Sequence, residues 1–336
     1  MQTTLATRRL GTSDLTITTV GFGAWAVGGG GWAFGWGPQD DEQSIAAIRY
    51  AIERGINWID TAAVYGLGHS EEVVRRALEG IAPADRPYIF TKCGLVWDDA
   101  DRMAPPRQVL RPETIRAECD ASLRRLGVER IDLYQFHWPD ESGTPVEESW
   151  AAMLRLVEEG KVRAAGVSNF DVPLLERCET IRHVHSLQPP FSLVRRQAAA
   201  AQIPWCGQHG TGVVAYSPMQ SGLLTDRFTA DRVAQFAEDD WRRRSSDFQP
   251  PKLARNLALR DALVPIARRR DATVAEIAIA WTLAWPGVTG AIVGGRTPEQ
   301  VDGWIGAAGL ELSGADLDEI AAAIGGTGAG SGPGRP

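Results

Sequence analysis

The sequence predicts a single-domain α/β protein, a (β/α)8 TIM barrel with an N-terminal hairpin and long loops after its first and seventh strands. Eight short apolar runs alternate with stretches of helical periodicity. No gap between them is long enough for a second domain, although 336 residues would suit two average ones. An open doubly wound sheet also fits such alternation, but the count of eight favours the closed barrel.

The elements follow in order. "RRLGTSDLTITTV" reads as a small hairpin placed to cap the barrel floor. Strands are expected at 19–23, 57–60, 88–93, 131–137, 164–167, 186–188, 212–216 and 290–293. Between 146 and 160, Val146, Trp150, Met153, Leu154 and Val157 recur at helical spacing; Ile115, Cys119, Leu123 and Leu126 do so between 114 and 126. A Gly/Trp loop, 26–39, follows the first strand, and a longer excursion, 217–251, follows the seventh. The barrel is expected over 1–324, with 325–336, "GGTGAGSGPGRP", as a flexible Gly/Pro tail.

Composition narrows the function. The net charge is -7, and the one dense arginine run, "WRRRSSDF" at 241–248, lies beside Asp239 and Asp240. That argues against a nucleic-acid groove and for a solvated loop able to touch a phosphate. The 4 cysteines, Cys93, Cys119, Cys178 and Cys206, form no C-x-x-C pair and read as reduced thiols. No signal-peptide core and no bilayer-length apolar run stands out, so the expected location is cytoplasmic, without membrane association.

In a barrel of this kind the strand ends converge on one face, which carries the active site. Asp60 ends the second strand and Tyr65 lies just beyond; Lys92 ends the third and His137 the fourth. A lysine ammonium within about 4–6 Å stabilises a phenolate and lowers a tyrosine's pKa. The lysine, half buried, needs a counterion, which Asp60 supplies. His137 can hydrogen-bond a substrate oxygen. The set is a tuned phenol exchanging a proton with an oxygen, as carbonyl reduction requires when hydride arrives at carbon. Singly, each of these residues is more often scaffolding; four at three successive strand ends are a site.

"GINWIDTAAVYGLGHSEEVVRRAL", "DLYQFHWPD" and "GKVRAAGVSNF" resemble the aldo-keto reductase superfamily over nearly the whole chain, and most of all its bacterial stress-response and inositol-catabolism types. The resemblance implies a catalytic tetrad of Asp60, Tyr65, Lys92 and His137, no metal, and direct hydride transfer from NADPH, with NADH as an alternative. It implies a carboxamide site at Ser168, Asn169 and Gln188, and Tyr216 stacked on nicotinamide. Ser217, Pro218, Ser221, Gly222 and Leu223 would pass the pyrophosphate, with Arg227 where a lysine is usual. Gly294, Arg296 and Gln300 would hold the adenosine end and its 2′-phosphate; an arginine can grip phosphate in bidentate fashion. Asp60 and Trp25 are also expected beside the cofactor. Two positions depart from the family: Trp304 replaces a common Asn at the adenine, where its ring could stack, and Phe191 replaces a common Tyr.

Trp25, Trp32, Phe34, Trp36, Trp97 and Trp138 lie on loops at strand ends and, with Tyr65 and His137, are expected to line a pocket for a small carbonyl substrate. Packing among the loops explains half of them equally well. Two other functions fit the same residues: a cofactor-sensing regulatory subunit, and a sugar or polyol dehydrogenase. The oligomeric state and the direction of flux stay open. "GFGAWA" at 21–26 fits a dinucleotide pattern but reads as a strand end. "HVH" at 183–185 lacks a third metal ligand nearby in sequence, and the adjacent acids Asp140 and Glu141 read as solvated.

Overall fold

The computed structural model describes residues 5–336. Eight parallel strands close into a barrel: β1 (Val20–Gly23), β2 (Trp58–Asp60), β3 (Tyr88–Cys93), β4 (Ile131–Phe136), β5 (Val162–Ser168), β6 (Ser186–Gln188), β7 (Gly212–Tyr216) and β8 (Val288–Gly294). They neighbour one another in chain order, and β8 pairs with β1 to complete the ring. All eight expected strands are present, with ends shifted by a residue or two. The helix expected over 146–160 spans Val146–Glu158, and the other spans Pro112–Leu126.

The barrel interior changes character along the strands. Trp58, Phe90, Leu133, Ala164, Val214 and Ile292 form an apolar layer with Leu10, Leu15 and Ile17. The last three come from the hairpin Thr7–Arg9/Thr16–Thr18, which plugs the floor. Because side chains repeat every second residue, the next inward positions are Asp60, Lys92, Gln135, Gly166 and Tyr216. The polar site thus sits directly on a dry apolar layer. Gly166 makes room for it, since a Cβ there would lie 2.8 Å from the Ser186 carbonyl and 3.3 Å from Gln135 Cγ.

Two features differ from expectation. After β3 the chain forms a second small hairpin, Leu95–Val96 with Arg107–Gln108. The C-terminal segment is docked rather than loose. Residues 325–327 finish the helix Gly314–Thr327, Ala329 is buried, and Ser331 pairs with Arg195. Arg196 donates to the Ala329 carbonyl at 3.1 Å and to the Gly332 carbonyl at 3.3 Å. Gly330 and Gly332 have φ of 61° and 104°, and a Cβ on Gly330 would collide with the Val194 carbonyl. The glycines that suggested flexibility are what permit close docking.

Candidate active site

Lys92 comes from the inward face of β3 and is fully buried. Its Nζ donates to Asp60 Oδ1 at 2.5 Å, to the Thr61 carbonyl at 2.9 Å and to Tyr65 Oη at 3.4 Å. The Tyr65 ring meets the His137 ring edge-on, with centroids 5.6 Å apart. Asp60, Tyr65, Lys92 and His137, from three strand ends, therefore share one cluster at the barrel mouth. Tyr65 is held there by a compact turn: its N–H donates to the Ala62 carbonyl and its carbonyl accepts from Ser70 N–H.

The charges follow from this burial. Desolvation pushes the Asp60 carboxyl up, opposed by Lys92 and by hydrogen bonds from Gln188 and Gln135. Burial lowers the Lys92 pKa, and Asp60 opposes that by holding the ammonium charged. The Tyr65 phenol is held well above its ordinary value, first by burial and then by the Asp60 carboxylate. This differs from the expected lowering by Lys92, because burial of the phenol dominates and the Asp60 carboxylate adds to the rise. Burial and the nearby ammonium keep His137 neutral, with its pKa well below the usual value.

Below and beside this cluster lies an amide network. Gln188 Nε2 donates to Asp60 Oδ2 at 2.9 Å and to Gln135 Oε1 at 3.3 Å. A carboxylate only accepts, so the Gln188 carbonyl oxygen is turned away from Asp60. Asn169, at a φ of 63°, donates to the His137 carbonyl at 2.9 Å and accepts from Tyr216 Oη at 2.8 Å. Ser168 Oγ donates to the backbone carbonyl of Gln188. Sequence reasoning missed Gln135, although its place two residues before His137 on one strand face was a usable signal.

The loops after β1 and β7 meet above the cluster. Trp25 stacks on Tyr65 at 6.0 Å and on Trp241 at 5.1 Å, and Trp36 meets both indoles edge-on. Arg242 lies over Trp36, is paired with Asp240 at 2.6 Å, and donates to the Ser221 carbonyl at 3.2 Å. Arg242 is thus the cation against the Ser221–Gly222 turn; Arg227 is exposed, with no ion pair among the described residues. Ser217 and Ser221 adopt φ of 57° and 55°, and the Leu223 side chain is buried in the core, leaving only its backbone for a ligand; Pro218 is buried too.

At the far end, Gln300 Oε1 accepts from Arg296 N–H, and Arg296 Nη2 donates to the Trp36 carbonyl at 2.7 Å. Arg296 Nε is buried without a partner, an orphan that suits an anion. Gly294 is exposed beside it, and a Cβ there would meet only the Gly23 carbonyl, at 3.5 Å. Trp304 presents no face to an adenine: it is fully buried in the core, packed behind Gly295. Phe191 is also core, stacked on Trp281.

The expected pocket aromatics divide. Trp32 is buried and bonds the Gly29 carbonyl, so it packs its loop. Trp97 packs against the same Trp32, Ala62 and Val64 cluster as Tyr65 and bonds Asp99, while Trp138 and Phe34 are exposed at the rim. "GFGAWA" runs from β1 into a single 3-10 turn, Ala26–Gly28, without opening a helix. His183 Nδ1 pairs with Glu179 at 2.9 Å, and among the described residues no group of three or more His, Cys, Asp or Glu is arranged to hold a metal. Nor is any described helix long and apolar enough to cross a membrane.

Comparison with known proteins agrees with the geometry. Residues 19–324 match the Aldo/keto reductase family. The chain is 33% identical over 302 residues to Aldo-keto reductase YhdN of Bacillus subtilis, covering 90% of this chain and 88% of that protein. It is 34% identical to the NADH-specific methylglyoxal reductase of Escherichia coli, covering 94% and 98%. The solved glycerol dehydrogenase AKR11B4 from Gluconobacter oxydans superposes with a TM-score of 0.86 at 36% identity, covering 97% of each chain. The chain therefore belongs to the aldo/keto reductase family, oxidoreductases that use NAD(P)H on small carbonyl compounds.

Proposed function

We propose that the protein is an NADPH-dependent reductase of aldehydes and ketones in which Tyr65 delivers the proton. The observation that carries this reading is the reach of Lys92 Nζ to both Asp60 and Tyr65 Oη. A phenol with a raised pKa is protonated at neutral pH, which is the form a general acid needs. As the proton leaves, the ammonium at 3.4 Å meets the growing phenolate charge, an interaction stronger in the transition state than in the ground state. Neutral His137 offers a ring N–H to the carbonyl oxygen and fixes its approach to Tyr65. Trp25, stacked on the Tyr65 ring, keeps water from the phenol.

When bound, the nicotinamide cofactor supplies the hydride. The residues present fit it. Gln188, turned by Asp60, offers its carbonyl oxygen to the carboxamide, next to Ser168 and Asn169. Tyr216, its hydroxyl tied to Asn169, is the stacking ring. Ser217, Ser221, Gly222 and the backbone of Leu223 form the diphosphate turn, with Arg242 as its cation. The orphaned Nε of Arg296 supports a 2′-phosphate and hence NADPH; the Escherichia coli relative named NADH-specific makes NADH the competing reading.

A polyol dehydrogenase is the second reading, favoured by the likeness to a glycerol dehydrogenase. The same atoms would serve in reverse, with Tyr65 as base, and the raised phenol pKa then restricts oxidation to alkaline pH. The test is loss of nicotinamide absorbance with NADPH and with NADH against aldehydes, ketones and sugars, beside Tyr65→Phe. Turnover abolished in the variant with cofactor binding retained supports the reductase. Tight cofactor binding without turnover on any carbonyl or alcohol would replace it with a cofactor-sensing role.

A further inference from the structure

A cleft of about 590 Å3 lies beside the loop that follows β6, and neither Tyr65 nor any other member of the catalytic cluster lines it. Its walls are the loop after β6, the excursion after β7, the start of the helix Lys252–Arg269 and the docked C-terminal segment. The volume is that of a small-molecule site. We propose that this cleft binds a compact, doubly negative small molecule, a phosphate or a dicarboxylate. The proposal does not rest on the assigned activity.

Charge is the first argument. Arg195, Lys252 and Arg255 line the cleft against a single carboxylate, Asp247, in a chain whose net charge is -7. Asp247 is engaged through one oxygen: Oδ2 accepts from Gln220 Nε2 at 2.7 Å and from Arg195 Nη2 at 2.9 Å. Lys252 is 4.0 Å from its other oxygen and bonds only Ser246 Oγ, at 3.0 Å. Arg255 has no ion pair among the described residues. The cleft therefore holds about two positive charges in excess of its acid.

Placement is the second. Lys252 and Arg255 occupy the first turn of an 18-residue helix that has no acid there and no side-chain cap. Cations at a helix N-terminus oppose the macrodipole and destabilise it. Leu253 N–H already donates to the Gln249 carbonyl at 3.0 Å, so what an anion between the two cations relieves is their mutual repulsion.

The fixed wall is the third. Ser331 pairs with Arg195, Arg196 is buried under the Ala329 carbonyl, and the positive φ of Gly330 and Gly332 lets the segment lie flat. The cleft is bounded by ordered backbone, so an occupant meets a preformed site. Asp247 also holds Gln220, at a φ of 46° in the diphosphate turn, which puts the occupant two hydrogen-bonded side chains from the cofactor loop.

The experiment is calorimetric titration of inorganic phosphate, and separately succinate, into the full chain at low ionic strength. Wild type is compared with Lys252→Ala/Arg255→Ala and with Arg296→Ala. Expected is one site for phosphate, weakened about tenfold or more in the double variant, the size of two lost charge-assisted contacts. Binding should persist in Arg296→Ala, and the double variant, altered only at exposed side chains, should keep its basal NADPH turnover. Succinate binding at the same site marks a general dianion site; phosphate alone marks a phosphoryl site. Gly330→Val, which displaces the wall, should weaken binding as well. The proposal is overturned if neither probe binds, if the double variant binds as wild type does, or if Arg296→Ala alone abolishes binding, which would put the anion in the cofactor channel.

Discussion

Glu118 offers a sharp test of the electrostatics beneath the site. It lies on the helix Pro112–Leu126, and its carboxylate accepts from Gly94 N–H at 3.1 and 3.2 Å, two residues past Lys92. Burial raises its pKa from 4.5 to about 7, against the pull of the Gly94 N–H and Arg125; Glu71 adds to the rise. Between those values the folded state binds a proton that the unfolded state does not. Its contribution is therefore fully present below about pH 4.5 and is lost as pH rises through 7. At ~1.4 kcal/mol per pH unit the ceiling is ~3 kcal/mol. Because part of the side chain still reaches solvent, about 1–2 kcal/mol is expected. Glu118→Gln keeps the acceptor for Gly94 and carries no charge to desolvate. Urea denaturation should show the variant more stable than wild type at pH 8.5 by that amount, with the gap closing towards pH 5. A variant equally or less stable at pH 8.5, or a gap independent of pH, would refute the reasoning.

Other outcomes follow from the same geometry. Tyr65→Phe should lose turnover yet keep its melting temperature within about 1–2 °C, since the hydroxyl has only the 3.4 Å contact with Lys92. Lys92→Met strands a buried carboxylate and should cost about 3–5 kcal/mol by chemical denaturation, much of it recovered by adding Asp60→Asn; no recovery would mean the loss lies in packing. Alcohol oxidation should rise with pH well past neutrality while carbonyl reduction does not, as steady-state rates in both directions would show. Gly330→Ala should release the C-terminal segment, seen as loss of amide protection around Arg195 and Arg196.

The strands and the four clustered residues were legible because both are local signals. An apolar run must be buried whatever its neighbours, and a polar residue ending such a run must face the barrel mouth. The hairpin at 95–108 escaped because its strands are two residues long, too short for periodicity to register. Gln135 lies inside its strand rather than at the strand's end, and its partners Asp60 and Gln188 are distant in sequence.

By itself the sequence determined the eightfold alternation, the polar residues at the strand ends, and the residues meeting at Lys92. Only the tertiary structure decided that Trp304 is buried in the core, that Arg242 rather than Arg227 reaches the Ser221–Gly222 turn, and that the glycine-rich end packs against Arg195 and Arg196 rather than forming a tail. Each of these depends on contacts between segments far apart in the chain. Composition reports what a residue can do; burial and approach decide which of those things it does.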